Sequence, residues 1–163
     1  MVMIPMNWVP LLLLAAATSS VDYDKQADFS RYKTWSWHTG VTPAMNPVTD
    51  KRVREAIEKG LGARGLSRVD SKASLLVAYH ASRTTETGFG KARYPDPSFE
   101  KGTRPPFQKG SLVLDMLDAD SGRVVWRGHA TDAMSYGPNE IAAQVASAIE
   151  KLLASFPPPS PQP

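Results

Sequence analysis

Lys109–Met134, KGSLVLDMLDADSGRVVWRGHATDAM, is the stretch whose reading decides the fold. Leu112, Leu114 and Met116 alternate with Val113, Asp115 and Leu117, so each trio lies on its own face of a β-strand. The alternation resumes after Asp120-Ser121-Gly122. Val124, Trp126 and Ala130, with Gly128 between, fall on one side; Val125, Arg127, His129 and Thr131 fall on the other. Asp, Ser and Gly are turn formers, and Gly accepts positive φ without a Cβ clash. The stretch therefore predicts a hairpin with its turn at Asp118–Gly122. Its apolar side should face helices. Its other side, with Asp115, Arg127 and His129, should face outward.

The chain after the hairpin holds one helical pattern. Ile141, Val145, Ala148, Ile149, Leu152, Leu153 and Phe156 form a stripe that starts from Pro138 or Asn139 and stops at Pro157–Pro159. Before the hairpin, Ala73–Ser82 contains the continuous apolar run Leu75–Tyr79, the pattern of a central strand covered on both faces or nearly so. His80 should lie on the side of Leu76 and Ala78.

Further back, Asn46-Pro47 is a helix start: an Asn cap, then a Pro whose missing N–H would be unpaired anyway. Val53, Ala56, Ile57, Gly60 and Leu61 give the stripe, and Gly65 the close. Gly60 on that stripe suggests a close approach to the sheet. Val21–Asp24 and Lys33–Trp37 are strand-like, with Trp35 and Trp37 on one face. Tyr32, Trp35 and Trp37 resemble a platform for stacking bases or sugars, but no basic cluster accompanies them, so core filling is the better reading.

These elements predict an α+β fold. It is a two-layer sandwich, with a mostly antiparallel sheet of four or five strands and two helices packed on one face. A helix on each face is the alternative, which the Leu75–Tyr79 run would suit. Residues 18–156 form one domain. The segment 83–109 reads as a long loop and 157–163 as a proline-rich, extended tail. The loop mixes aromatic with basic residues, which would suit an envelope protein or a peptidoglycan-like, polyanionic partner, but a mobile segment without a dedicated ligand is the better reading.

The chain has 163 residues and a net charge of +3, with basic residues scattered among acids. A nucleic-acid binder would cluster them, so none is expected as a partner. There is no cysteine, which excludes disulfides, thiolate metal sites, a Cys nucleophile and lipid attached to a cysteine. Residues 1–17 read as an export signal, with apolar Leu11–Leu14 followed by Ala15 and Ala17 as the small residues before cleavage. An exported, cysteine-free chain fits a bacterial periplasm.

Several pieces, in order, carry a resemblance. They are Val21-Asp22-Tyr23-Asp24, Ala27–Trp37, Arg52–Glu58, Leu75–His80, Gly110–Leu117, Ser121–Gly128 and Leu152–Pro158. Together the chain resembles the bacterial envelope family catalogued as domain of unknown function 4136. The resemblance implies a compact α+β domain, a periplasmic or outer-membrane associated location and no catalytic residues to transfer. Members often carry a lipid-bearing cysteine just before the VDYD-like segment. Here that region reads Ala15–Ser20, so membrane anchoring through lipid is not expected.

Chemistry is sparse. His80 and His129 could sit on neighbouring strands with Asp115 near, a conceivable His-His-Asp metal site, but no two of them share a short-spaced motif. No nucleophile setting or dinucleotide fingerprint is present. The expectation is a non-catalytic binding or assembly module with no cofactor. The alternative is a small-ligand or metal-binding protein using the outer face near His80 and His129.

Overall fold

The fold was obtained as a computed structural model that describes residues 18–39, 47–86, 107–134 and 138–158. The elements run β1 (Thr18–Tyr23), a 3-10 turn (Phe29–Arg31), β2 (Thr34–Trp37), α1 (Pro47–Gly62), β3 (Ser67–Arg68), β4 (Leu75–Glu86), β5 (Phe107–Asp118), β6 (Val124–Ala133) and α2 (Pro138–Leu153). The strands form one sheet of six in the order β1-β6-β5-β4-β2-β3. β2 is parallel to β3 and to β4; the other pairings are antiparallel. The sixth strand is β3, only two residues long and too short to leave a periodic signal. β4 and β5 also run further than the sequence suggests. They take in residues 83–86 and 107–109 of the segment read as loop, because the ladder pairs Glu86 with Phe107. The remainder of that loop, the export signal and the end of the tail lie outside the described residues.

Both helices cover one face, so the alternative with a helix on each side does not hold. Leu75, Val77 and Tyr79 are buried on that face while Leu76 and Ala78 between them are only half-buried. The run is continuous in sequence because the outer positions are also apolar; among the described residues no second layer covers them. Under the helices lie Trp35, Leu75, Val77, Leu114, Met116 and Trp126, each no more than 1% exposed. Val53, Ile57 and Leu61 of α1 and Ile149, Leu152 and Leu153 of α2 close the core from above. Each such side chain contributes about 1.5–3 kcal/mol of transfer free energy when fully removed from water.

The helices touch at their C-terminal ends. A Cβ on Gly60 would meet Leu153 Cδ1 at 2.5 Å, so this glycine permits a close approach to α2 and not, as its position on the stripe suggests, to the sheet. Arg64, just past α1, donates to the carbonyls of Leu153, Phe156 (3.1 Å) and Gly60 (3.0 Å). One guanidinium thereby satisfies orphan carbonyls at the ends of both helices.

The hairpin forms where expected, with Gly122 at φ +69°. Its pairing slips between Met116 and Leu117: Met116 faces Trp126 and Leu117 faces Val124, leaving Val125 as an extra residue. This β-bulge inverts the local alternation. Val125 is buried and Val124 is 42% exposed, the reverse of the strict period-two reading. Beyond the bulge, Trp126 packs edge-on against Phe156 at 5.7 Å between ring centroids. Gly128 leaves room for that indole, since a Cβ there would meet Trp126 Cη2 at 2.6 Å and Leu152 Cδ2 at 3.2 Å.

Asp118 locks the turn to the rest of the domain. Its carboxylate accepts from the Ser121 N–H and Oγ, both at 2.8 Å, and from the buried Tyr32 hydroxyl at 2.8 Å, with Arg31 at 3.4 Å. The Ser121 backbone N–H foremost, then the Ser121 and Tyr32 hydroxyls and the Arg31 charge, holds its pKa down at about 2 against the opposing pull of burial. Burial and the Asp118 acceptor push Tyr32 up to about 12.

Candidate functional site

The sheet face away from the helices is the first candidate. Register places Ser36 on β2, Leu76, Ala78, His80 and Ser82 on β4, Ser111, Val113, Asp115 and Leu117 on β5, Arg127, His129 and Thr131 on β6, and Ser20 and Asp22 on β1 on this side. Leu76, Ala78, Val113 and Leu117 are half-buried, and among the described residues no element lies over them. The face is thus a mixture of small aliphatic and hydroxyl groups crossed by charge.

The charge is already paired. Arg127 donates from Nε and a terminal nitrogen to both Asp115 carboxylate oxygens, at 2.6 and 2.7 Å. These hydrogen bonds, then the Asp115 charge, raise the Arg127 pKa above its ordinary value, with Asp22 adding a smaller pull. The fork geometry is favourable, but the Arg127 side chain is 56% exposed, so the pair is worth no more than about 1 kcal/mol.

His80 and His129 do share this face, as the alternation indicates. They are not on neighbouring strands: β5 runs between them, and each pairs with Val113 from opposite sides. His129 Nε2 lies 3.0 Å from Ser111 Oγ, and Asp115 is engaged by Arg127. Among the described residues no group of three or more His, Cys, Asp or Glu side chains is placed to hold a metal. The sequence signal pairing these residues was parity along strands; it carries no information on strand order.

The aromatics behave as core. Trp35 is 1% exposed and meets Trp37 edge-on at 5.0 Å. Trp37 and Tyr79 flank the Arg54 guanidinium at 4.8 and 5.4 Å, and Arg54 is bound to Asp50 at 2.8 Å. The Tyr79 hydroxyl donates to the other Asp50 oxygen. Burial and that acceptor raise the Tyr79 pKa. The chain's own Arg54 guanidinium thus occupies a ring face of Trp37 and of Tyr79 on which a base or sugar would have to stack.

Two features were not visible in the sequence. Toward their N-terminal ends the helices leave a cleft of about 80 Å³ over the sheet, floored by Ala81, Leu112 and Ala130 and walled by Val53, Val145 and Ala148. Its existence depends on the angle between two helices, which stripes do not encode. The second is the outer edge of β1, the last strand of the sheet, which no other described strand pairs with and whose residues are mostly exposed.

Comparison with known proteins agrees with this architecture. No curated protein sequence matches the chain. A PDZ domain protein from Parabacteroides distasonis is similar in structure at 18% identity and a TM-score of 0.62; the match covers 88% of this chain but only 36% of that one. A PelC dodecamer from Paraburkholderia phytofirmans is similar at 14% identity and a TM-score of 0.53, covering 84% of this chain and 96% of that one. At such identities the likeness is one of fold. The family model for the domain of unknown function DUF4136 matches residues 19–158, nearly everything from β1 to the end of the described chain, and the protein therefore belongs to that family.

Proposed function

We propose that this protein is a non-catalytic module of the bacterial cell envelope that works by binding or assembly, using the side of the sheet that the helices leave uncovered. The observation that carries the reading is the one-sided sandwich. Leu76, Ala78, Val113 and Leu117 are half-buried on a face that no described element covers, and the charge pair on it, Asp115–Arg127, is internally neutralised. Such a face suits a flat, weakly polar partner surface better than a small ionic ligand. The apolar segment Leu11–Leu14 before Ala15–Ala17 supports export. The PelC protein of similar fold is a dodecamer, which makes association between copies the first form of assembly to measure.

The test has two parts. The full chain, produced in a bacterial host, should fractionate with the envelope, and the purified protein should scatter light as a species heavier than its own 17.8 kDa. Val113→Lys, on the open face, should lower that mass without changing the circular dichroism spectrum. A purely cytoplasmic protein that stays monomeric and binds no envelope component would defeat the proposal.

A further inference from the structure

β1 ends the sheet on one side, and its register shows which of its backbone groups are free. Asp24 N–H donates to Val125 C=O at 2.9 Å, and the ladder runs Tyr23↔Trp126, Asp22↔Arg127, Val21↔Gly128, Ser20↔His129. Backbone groups alternate in direction along an antiparallel strand. Those of Thr18, Ser20, Asp22 and Asp24 therefore point at β6, and those of Ser19, Val21 and Tyr23 point away from the sheet. The outward N–H of Tyr23 is already taken by Asp22 Oδ1 at 2.9 Å. That leaves Ser19 and Val21 as the residues with both outward groups open, and nothing among the described residues pairs with them.

We infer that this edge pairs with β1 of a second copy of the chain, antiparallel about a two-fold axis at Ser20. The inference rests on the assembly reading above and adds, beside the open face, a second contact between copies at the sheet edge.

The chemistry of β1 fits itself in this register. Ser19 and Val21′ form a hydrogen-bonded pair, as do Val21 and Ser19′, so all four outward backbone groups of each copy find partners. Ser20 faces Ser20′ across the axis, in a non-hydrogen-bonded pair where side chains lie closest. Thr18 faces Asp22′, a hydroxyl opposite a carboxylate, and no two like charges oppose each other. The arrangement is isologous and closes on itself, and the two sheets join into one with all helices on the same side. The far edge offers no such surface, because β3 has two residues and its Arg68 is held by Glu58 at 2.7 Å. An edge of this length buries less than the roughly 1,000 Å² of a durable interface, so the pairing is weak and reversible.

The chain has no cysteine, so a single introduced thiol reports the contact cleanly. In the full chain, Ser20→Cys should oxidise to a disulfide-linked dimer at least about tenfold faster than Ser67→Cys on the opposite edge, since pairing raises the local thiol concentration. Adding Ser19→Pro to Ser20→Cys should abolish that advantage while leaving the circular dichroism and melting temperature close to those of Ser20→Cys alone. The lost N–H points away from β6, and edge strands accept proline at such positions. Equal oxidation of Ser20→Cys and Ser67→Cys would overturn the inference, as would a rate indifferent to Ser19→Pro. If light scattering still shows assembly, only the β1 contact has failed. A monomer at every concentration defeats the contact and, unless an envelope partner is found, the assembly reading with it.

Discussion

Asp118→Asn tests the reasoning about the hairpin most directly. The side chain is 9% exposed and tied to Ser121, Tyr32 and Arg31. Its folded pKa is about 2 against an ordinary 3.8, so the ionised form is favoured in the folded state. At about 1.36 kcal/mol per unit this difference contributes about 2 kcal/mol. The sign follows from the depression. The unfolded carboxyl binds its proton first as pH falls, so the contribution is complete well above pH 3.8 and is lost as pH drops toward 2. Asparagine keeps the shape and one acceptor oxygen but carries no charge. At pH 7 the variant should be about 2 kcal/mol less stable, a fall in Tm of roughly 4–8 °C for a chain of this size. Urea unfolding followed by tryptophan fluorescence, repeated from pH 7 to pH 2, isolates the effect, since every other carboxylate titrates alike in both proteins. The gap should narrow between pH 4 and pH 2. A gap that stays constant with pH would show that the charge of Asp118 does not hold the turn.

Two further outcomes check other parts of the argument. Gly128→Ala places a methyl 2.6 Å from the Trp126 ring beneath Leu152 and should cost about 1–3 kcal/mol, read from the urea midpoint; an unchanged midpoint would show that the indole is not confined as described. Zinc titration by calorimetry should give no saturable heat, because β5 separates His80 from His129 and Asp115 is bound to Arg127; a saturable signal lost in His129→Ala would restore the metal-binding alternative.

The elements that are legible in the sequence are those whose information is local. Alternation over Leu112–Leu117 and the Asp-Ser-Gly turn specify the hairpin, because side-chain parity and turn conformation depend only on near neighbours. The stripes on α1 and α2 specify which helical side is buried, for the same reason. The failures share a different cause. Val125 is buried because a bulge shifts the pairing at Met116/Leu117, and pairing is a property of two strands together. Gly60 makes room for Leu153, a residue far along the chain on the other helix, and not for the sheet.

The candidate site divides in the same way. That Asp115, Arg127, His129 and His80 lie on the outer face follows from period-two parity alone. That Arg127 grips Asp115 while β5 holds the two histidines apart follows from strand order, which hydrophobic pattern does not encode. The same order leaves β1 at the rim of the sheet. By itself the sequence determined that Val21–Asp24 is strand-like and which way the hairpin's side chains alternate. Only the tertiary structure decided that no other described strand pairs with the outer edge of β1, because hydrogen-bonding capacity is exhausted or left over according to which strands find each other in space.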